Sequence, residues 1–331
     1  MTILIVTDSK DKSISALQKE ISDRGQNSFR FDIDAFPTEV GLEIQYSLDH
    51  EQIILFANEE KLILDEVSTV WNRFLRNAAK NETGALIPPT IESQFRNPSI
   101  QESCTMLEGM LASLNTVQVD PLSNQIRANN KQLQLQTAQN LSIDIPRTLI
   151  TNNPEAVRNF SQECQHGLIT KMLSRPIIDD HGQEKIFYTN PVSPEILNNL
   201  DRLRFCPMVF QEQIPKALEL RITIVGKQVF TAAVDSQRYQ TARYDWRRGQ
   251  MDLRQGWRLY HLPQGVEAKL LQLMDYFELQ YGAMDIILTP DDRYIFLEVN
   301  PVGEFYWLEQ VLNLPITKAV SDLLIQTKEN F

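Results

Sequence analysis

Cysteine and histidine are scarce in this sequence, and the few that occur lie far apart. The chain of 331 residues contains three cysteines and four histidines. An odd number of widely separated cysteines argues against a disulfide framework and against a CxxC metal or redox site. Histidines without metal-ligand spacing give no support to a zinc site. These absences are typical of a protein from a reducing cytosol.

Long apolar runs and basic blocks are missing as well. The apolar run at 3–6 is too short for the core of a signal peptide, and no stretch approaches transmembrane length. Acidic residues exceed basic ones by 43 to 32, which gives a net charge of −11. We therefore expect a soluble cytoplasmic protein without nucleic acid or membrane as a main partner. The subunit count stays open, with a homodimer as one alternative.

What the chain does have is an ordinary globular composition, 42% hydrophobic and 23% charged. Its length suits two or three packed units. A strand over 2–7, a helix that ends before Gly25 and a strand over 29–33 predict an α/β start. The stretch from Thr151 to Pro154 is a strong helix start inside a second α/β unit. We expect an α/β (α+β) protein with domains at 1–120, 121–209 and 210–331.

The strongest chemical signal lies in two apolar stretches, 282–288 and 294–301, joined by a short loop. Alternation along a strand puts Glu298 and Asn300 on one face, about 7 Å apart. The same alternation places apolar side chains on the other face: Ile295, Leu297 and Val299. If the two strands pair, Asp285 comes within one residue of the position opposite Glu298. Such an oxygen cluster suits magnesium. The alternative is a pair of acidic residues on a solvated sheet face.

A second polar set follows another apolar stretch, 218–224. Strict alternation there places Glu219, Arg221 and Thr223 on one face. An arginine fork beside a carboxylate-bound metal suits phosphate oxygens. A surface Glu/Arg pair on a half-exposed strand is an equal alternative.

Two lysines and one linker are weaker candidates for a ligand site. Lys171 interrupts an apolar strand, where a lysine needs an anionic partner or an exit to solvent. Lys131 lies on a polar helix, where a lysine is usually only solvated. The segment at 211–215 leaves a strand at a proline, which frees backbone groups that could pair with an adenine edge.

The order and spacing of these features resemble the pattern of the ATP-grasp superfamily over residues 120–305. Within that superfamily the chain is most similar to the ligases that crosslink microviridin-type precursor peptides (graspetides), and it is closest to their ester-forming branch. The stretches that carry this second resemblance are 31–39, 216–221, 244–247 and 300–305. The resemblance implies an ATP-grasp fold of three lobes, with the nucleotide between the middle and carboxyl-terminal lobes.

The resemblance also implies an ADP-forming ligase that acts on a ribosomal precursor peptide with an amino-terminal leader. An Asp or Glu carboxylate of the peptide would become an acyl phosphate, and a Thr or Ser hydroxyl would then close an ω-ester. The expected cofactors are ATP and two magnesium ions. The metal ligands would be Asp285, Glu298 and Asn300, and the phosphates would bind Arg221, Lys131 and Lys171.

Further roles are implied for the nucleotide and the peptide. Adenine would lie against Gln211, Glu212, Gln213 and Ile214. Ribose would bind Glu212 or Glu219. Arg247 would hold the acyl phosphate or the substrate carboxylate, although it could equally be a surface arginine. The leader would dock on a helix over 194–200 that carries Glu195, Asn198 and Asn199, and a solvated helix face is the alternative interpretation of these three.

Two features depart from related ligases. The lid segment from Ser174 to Gln183 has one glycine, Gly182, where many members have a glycine-rich loop. The tripeptide at 235–237 stands where peptide glutamate ligases tend to have an arginine. The enzymatic alternatives are an amide-forming (Lys) graspetide ligase and a carboxylate-amine ligase such as a peptide glutamate ligase. A silent peptide-binding module is the non-enzymatic alternative.

Overall fold

The computed structural model describes residues 2–49, 51–57, 60–73, 91–173, 177–180, 183–249 and 253–326. The helices in these ranges are α1 Ser13–Asp23, α2 Ser93–Ser113, α3 Leu122–Ala128, α4 Lys131–Asn140, α5 Pro154–Glu163, α6 Pro194–Asn198, α7 Gln264–Phe277, α8 Tyr306–Leu312 and α9 Ile316–Gln326. None of them is both long and apolar enough to cross a membrane. Half of the predicted lid segment, Ser174 to Gln183, lies outside the described residues.

The strands of the described ranges form five sheets. They are β1 Thr2–Thr7, β2 Asn27–Asp32, β3 Val40–Tyr46, β4 Glu51–Ala57, β5 Glu60–Ile63, β6 Val67–Asn72, β7 Val117–Val119, β8 Thr148–Thr151, β9 Leu168–Lys171, β10 Ile177–Asp180, β11 Gln183–Ile186, β12 Asn190–Pro191, β13 Met208–Glu212, β14 Leu218–Val225, β15 Gln228–Val234, β16 Arg258–Leu259, β17 Tyr281–Leu288 and β18 Tyr294–Asn300. The predicted mixed α/β class is therefore correct.

The amino-terminal sheet is parallel, with strand order β2-β1-β6-β7. Strand β1 is apolar from Ile3 to Val6, because both of its faces are covered there. Leu4 and Val6 pack into a cluster with α2, whereas Ile3 and Ile5 pack into a second cluster with α1 and α9. The predicted strand over 2–7 and the helix before Gly25 are confirmed.

The central sheet is antiparallel, with strand order β12-β9-β13-β8. One face is covered by α5, which begins as predicted, because the Asn153 side chain accepts a hydrogen bond of 3.0 Å from the N–H of Glu155. By the strand pairing, Lys171 and Gln211 lie on the opposite face. Strand β13 runs across the domain boundary expected between 209 and 210. We propose that the boundary lies after this strand, at 213–217.

The carboxyl-terminal sheet is also antiparallel, with strand order β16-β15-β14-β17-β18. Leu220, Ile222 and Ile224 of β14 face a large hydrophobic cluster that includes residues of α4 and α7. Alternation turns Glu219, Arg221 and Thr223 to the other face, as the sequence predicts. This second face carries the candidate active site.

A β-bulge in β18 corrects one sequence expectation. The register with β17 shifts between Asp285 and Ile286, so that Leu297 has no partner. An extra residue reverses the alternation beyond it. Phe296 and Val299 therefore share the hydrophobic cluster, and the expectation that Ile295, Leu297 and Val299 face the same way is wrong. Beyond the bulge, Glu298 and Asn300 still share a face, as predicted.

A buried carboxylate connects the amino-terminal sheet to the carboxyl-terminal one. Asp120 follows β7 and is 1% exposed. Its side chain accepts hydrogen bonds from the N–H groups of Gln280 at 2.7 Å and Tyr281 at 3.1 Å, where β17 begins. Burial raises the pKa of Asp120 to about 7, although these two hydrogen bonds oppose the shift. The Asp120 side chain therefore orients the start of β17. Its burial disfavours the charged form of the carboxyl group.

This burial predicts a pH-dependent stability that Asp120→Asn removes. The pKa of Asp120 is raised on folding, so its contribution to stability is complete below about pH 4 and is lost as the pH rises through about 7. Relative to the variant, the wild-type protein should lose on the order of 4 kcal/mol of unfolding free energy between pH 4 and pH 8. Urea unfolding of both proteins at these two pH values measures the change. Parallel pH profiles would contradict the assignment.

Candidate active site

The three predicted metal ligands lie together on one face of the carboxyl-terminal sheet. Asp285 of β17 is paired directly with Glu298 of β18, and Ala283 with Asn300. Residues directly opposite one another on antiparallel strands have neighbouring side chains on the same face. The three oxygen-bearing side chains are therefore neighbours on two adjacent strands. The Asn300 Oδ1 also accepts a hydrogen bond of 3.0 Å from the N–H of Val302.

Arg221 lies beside this group, because β14 pairs with β17 so that Arg221 is opposite Asp285. Its Nη1 donates to Asp285 Oδ1 at 3.2 Å, and its Nη2 donates to the carbonyl of Glu304 at 3.1 Å. Among the described residues, no partner is found for its buried Nε. Gly303 permits this approach, since a Cβ there would lie 2.9 Å from the arginine Nη2 and 2.4 Å from the Ala283 Cβ. Packing thus holds the guanidinium next to the carboxylates.

Two lysines from other elements approach Glu298. The Nζ of Lys131, at the start of α4, forms an ion pair with its carboxylate. The Lys131 charge is the largest cause that holds the pKa of Glu298 well below its usual range, and Lys171 and Arg247 lower it further. Burial lowers the pKa of Lys171 itself to about 8, although the Glu298 charge opposes that shift. Glu298 therefore stays ionised at neutral pH.

Arg247 also faces the group, from the segment between β15 and β16. Asp245 holds its guanidinium in a two-pronged contact, with Nε to Oδ1 at 2.8 Å and Nη2 to Oδ2 at 2.7 Å. Burial would lower the pKa of Arg247, but Asp245 outweighs it, and Glu298 and Asp285 raise the pKa further. About half of the arginine side chain, 49%, remains exposed. Its guanidinium is thus fixed on one side and accessible on the other.

The residues predicted for adenine fall at the end of β13 and in the linker that follows it. Gln211 is buried on the face that carries Lys171, and its Nε2 donates to Thr148 Oγ1 at 3.0 Å. The N–H of Gln213 already donates to the Gly167 carbonyl at 2.9 Å. Among the described residues, Ile214 makes no backbone hydrogen bond. Its backbone groups are the ones that remain for an adenine edge.

The two residues predicted for ribose differ in their surroundings. Glu212 is paired with Leu168, on the side of the central sheet that is covered by α5. Glu219 is 5% exposed, and its Oε1 accepts from Lys216 Nζ at 3.0 Å. Burial raises the pKa of Glu219, and Lys216 opposes the shift. Of the two, Glu219 lies on the face that carries Arg221.

Sequence reasoning missed Lys216 and Asp245, which hold Glu219 and Arg247. The spacing of Asp245 and Arg247 could have indicated their contact, since an aspartate side chain often accepts from the backbone N–H two residues on, and here the Arg247 N–H donates to Asp245 Oδ1 at 3.1 Å. No comparable rule covers Lys216, which lies in a turn before β14. Its Nζ also donates to the Tyr244 carbonyl at 3.2 Å, a contact between segments 28 residues apart.

The surface predicted for the leader is a short helix. Helix α6 ends at Asn198 rather than at residue 200, because Asn199 leaves the helical conformation with φ −124° and ψ 51°. The three predicted residues, Glu195, Asn198 and Asn199, are exposed. Ile196 of the same helix is a large apolar side chain that is 43% exposed. Phe187, which precedes β12 in the chain, is 37% exposed. The surface therefore combines polar and apolar groups.

The residues of the site fit a hard divalent cation. Asp285, Glu298 and Asn300 supply only oxygen ligands, and the Glu298 carboxylate already binds a cation, the Lys131 ammonium. Across the described ranges, no group of three or more His, Cys, Asp or Glu side chains could hold a metal. The remaining ligands would come from water and phosphate oxygens, which is typical of magnesium.

Comparison with known proteins supports the fold and indicates the family. The family model described as the MvdD pre-ATP grasp domain matches residues 2–126. None of the curated proteins compared matches the chain. Three solved structures match nearly all of it, and their folds confirm the predicted ATP-grasp fold. The first is the macrocyclase MdnC bound with precursor peptide MdnA from Microcystis aeruginosa MRC, which is 47% identical with a TM-score of 0.87 and covers 98% of this chain and 100% of that one. The second is a Chryseobacterium gregarium RiPP-associated ATP-grasp ligase in complex with ADP and a leader and core peptide, which is 32% identical with a TM-score of 0.90 and covers 98% of this chain and 96% of that one. The third is the macrocyclase MdnB from Microcystis aeruginosa MRC, which is 35% identical with a TM-score of 0.81 and covers 98% of this chain and 99% of that one.

Proposed function

This chain belongs to the RiPP-associated ATP-grasp ligases, and we propose that it is a peptide macrocyclase that forms ω-esters in a ribosomal precursor peptide. The proposal rests chiefly on one observation. Asp285, Glu298 and Asn300 share a face of the sheet, and Arg221, Lys131, Lys171 and Arg247 surround that face. A surplus of positive side chains around an oxygen cluster suits the triphosphate of ATP with magnesium.

The proposed reaction has two steps. An Asp or Glu carboxylate oxygen of the peptide attacks the γ-phosphorus of ATP, the bond to the β-phosphate oxygen breaks, and ADP leaves. A Thr or Ser hydroxyl of the same peptide then attacks the acyl carbon. The ester bond forms, inorganic phosphate leaves with the bonding electron pair, and the hydroxyl proton passes to solvent or phosphate. The peptide loses one water for each ester.

The side chains of the site would serve this reaction mainly by charge and position. Bound magnesium would offset negative charge on the phosphate oxygens. Arg221, held by Asp285 and the Glu304 carbonyl, presents a fixed fork toward the same oxygens. Lys171 supplies a cation from the central sheet. Arg247, held by Asp245, would orient the acyl phosphate or the substrate carboxylate.

The nucleotide and the leader would bind on either side of the central sheet region. Adenine would lie at the end of β13, against Gln211 and the unpaired backbone of Ile214, and Glu219 would face the ribose. The leader would bind at α6, where Ile196 exposes apolar surface beside Glu195 and the two asparagines. Both MdnC and the Chryseobacterium gregarium ligase were solved with a precursor or leader peptide bound. That fact supports a peptide partner for this chain.

Mass spectrometry of the reaction product tests the proposal. The purified protein is incubated with ATP, magnesium and Thr/Ser/Asp/Glu-rich precursor peptides, each with its leader. We expect a loss of one water per crosslink, and we expect mild alkali to restore the mass, because an ester hydrolyses readily.

Other outcomes would contradict the proposal in different ways. A water loss that resists alkali indicates an amide, and therefore the Lys-joining alternative. A gain of an amino-acid residue mass indicates a carboxylate-amine ligase. Peptide binding without any mass change or ADP release indicates a silent binding module.

A further inference from the structure

The segment from residue 236 to residue 258, here called the arginine segment, has a charge opposite to that of the whole chain. It contains six arginines and two aspartates, and no lysine or glutamate, so its net charge is +4 in a protein of net charge −11. The arginines are Arg238, Arg243, Arg247, Arg248, Arg254 and Arg258. A local reversal of charge on this scale marks an electrostatic surface.

The described parts of the arginine segment, 236–249 and 253–258, pack as one body. Ala242, Leu253 and Trp257 belong to a single hydrophobic cluster with strand β15 and helix α8. Trp246 lies against Trp257, with ring centroids 5.3 Å apart. The backbone runs mainly in short 3₁₀ turns. Packed apolar groups thus hold the backbone, and the arginine side chains point outward to solvent.

Two contacts and one electrostatic interaction place the arginine segment at the rim of the candidate active site. The Tyr244 carbonyl accepts from Lys216 Nζ. The negative charges of Glu298 and Asp285 raise the pKa of Arg247. Arg248 crosses to the central lobe, where its Nη2 donates to the Thr189 carbonyl at 3.2 Å and to Asn190 Oδ1 at 2.6 Å. The segment therefore borders the place where a substrate carboxylate would react.

Most of this positive charge is not neutralised by ion pairs with the residues that the structure describes. Arg247 pairs with Asp245 and Arg238 pairs with Asp235, whereas Arg248 contacts only neutral groups in those hydrogen bonds. Three further arginines are exposed and form no ion pair with described residues: Arg243, Arg254 and Arg258. A guanidinium binds a carboxylate through two parallel hydrogen bonds, which a lysine cannot do. A surface that is only solvated could use lysine as well as arginine. The use of arginine alone thus favours a surface that binds carboxylates.

We propose that the arginine segment binds an Asp/Glu-rich stretch of the substrate peptide, next to the carboxylate that reacts. This inference rests on the proposed function, which requires a peptide that carries at least one such carboxylate. The rest of the chain is acidic and repels such a peptide, so the segment directs it to the site. Arg243 and Arg254 are assigned to recognition, separate from the roles of Arg221 and Arg247.

Binding of two fluorescein-labelled peptides to the full-length protein, without ATP, tests the inference. The probes are (Glu-Gly)6 and its neutral match (Gln-Gly)6, and binding is followed by fluorescence anisotropy. At low salt, the wild-type protein should bind the acidic peptide about tenfold more tightly than the neutral one, and added salt should reduce the difference. The double variant R243E/R254E should bind both peptides equally.

A matched control carries the same change of charge outside the arginine segment. Lys227 and Arg293 are exposed on turns of the carboxyl-terminal sheet. The double variant K227E/R293E should keep the preference for (Glu-Gly)6. Thermal unfolding of both variants checks that each is folded, and R243Q/R254Q, which introduces no new charge, should also lose most of the preference.

Three outcomes would overturn the inference. The first is equal binding of the two peptides by the wild-type protein. The second is an equal loss of the preference for (Glu-Gly)6 in R243E/R254E and K227E/R293E. The third is binding of a labelled dT6 oligonucleotide as tight as that of (Glu-Gly)6, which would indicate a general polyanion surface. Crosslinking activity is measured separately. A wild-type protein that forms esters but shows no peptide preference contradicts this inference alone, whereas peptide preference without any product contradicts only the proposed function.

Discussion

Glu298→Gln is expected to abolish ATP-dependent product formation, with a fall of roughly 10³-fold or more. The substitution keeps the size of the side chain and removes its charge. It thereby weakens a proposed metal ligand whose pKa the neighbouring Lys131 holds far below the usual value. Lys131, Lys171 and Arg247 would then lie together without the anion that separates their charges. Quantification of crosslinked peptide by mass spectrometry measures the loss.

The control for this prediction is Asp291→Asn in the loop of the same hairpin. Asp291 is exposed and pairs with Arg293, so its substitution should leave turnover unchanged. Binding of the precursor peptide to the Glu298→Gln variant should stay close to that of the wild-type protein. Undiminished turnover in the Glu298→Gln variant would refute the metal assignment, and loss of peptide binding would indicate a misfolded protein.

Arg221→Lys is expected to lower kcat on the order of 10²-fold, although the positive charge is retained. Arginine reaches Asp285 and the Glu304 carbonyl at the same time through two different nitrogens. A lysine ammonium cannot keep both contacts and also present a planar fork to phosphate. The expected signature is a large fall in kcat with a smaller change in the KM for ATP. Steady-state kinetics of ADP release separates the two parameters.

Arg293→Lys is the matched control for the second prediction. Arg293 is an exposed arginine that pairs with Asp291 at 2.9 Å, and the same exchange there should leave kcat within about twofold, because an exposed ion pair contributes little. If Arg221→Lys behaved like this control, Arg221 would have only a structural role. A parallel loss of thermal stability and activity in the Arg221 variant would also favour that conclusion.

The strand pattern of the candidate site could be predicted from local sequence, and its detail could not. Alternation alone assigns Glu219 and Arg221 to one face of β14, and Glu298 with Asn300 to one face of β18. The loop at 289–293 is short enough to pair β17 with β18, which brings Asp285 opposite Glu298. The bulge at Leu297 was not foreseen, because an extra residue in a ladder has no distinct local signal.

The contacts between remote segments were the least predictable. Lys131 meets Glu298 across 167 residues, and Lys216 meets the Tyr244 carbonyl across 28. Such contacts depend on how whole sheets and helices pack, which no local pattern encodes. The predicted helix over 194–200 is also too long. Helix α6 ends at Asn198, because the backbone of Asn199 leaves the helical conformation.

The sequence by itself determined which side chains share a face in the regular parts of the strands, since the two-residue repeat of a β-strand is a property of the backbone alone. The exception is the bulge at Leu297 of β18, which interrupts that repeat. It also determined the order of the chemical groups along the chain, from which the family resemblance follows. Only the tertiary structure decided that β14 lies next to β17, that the central sheet turns Lys171 toward Glu298, and that the arginine segment borders the site. These placements arise from the burial of hydrophobic clusters contributed by distant parts of the chain, so they exist only once the whole chain has packed.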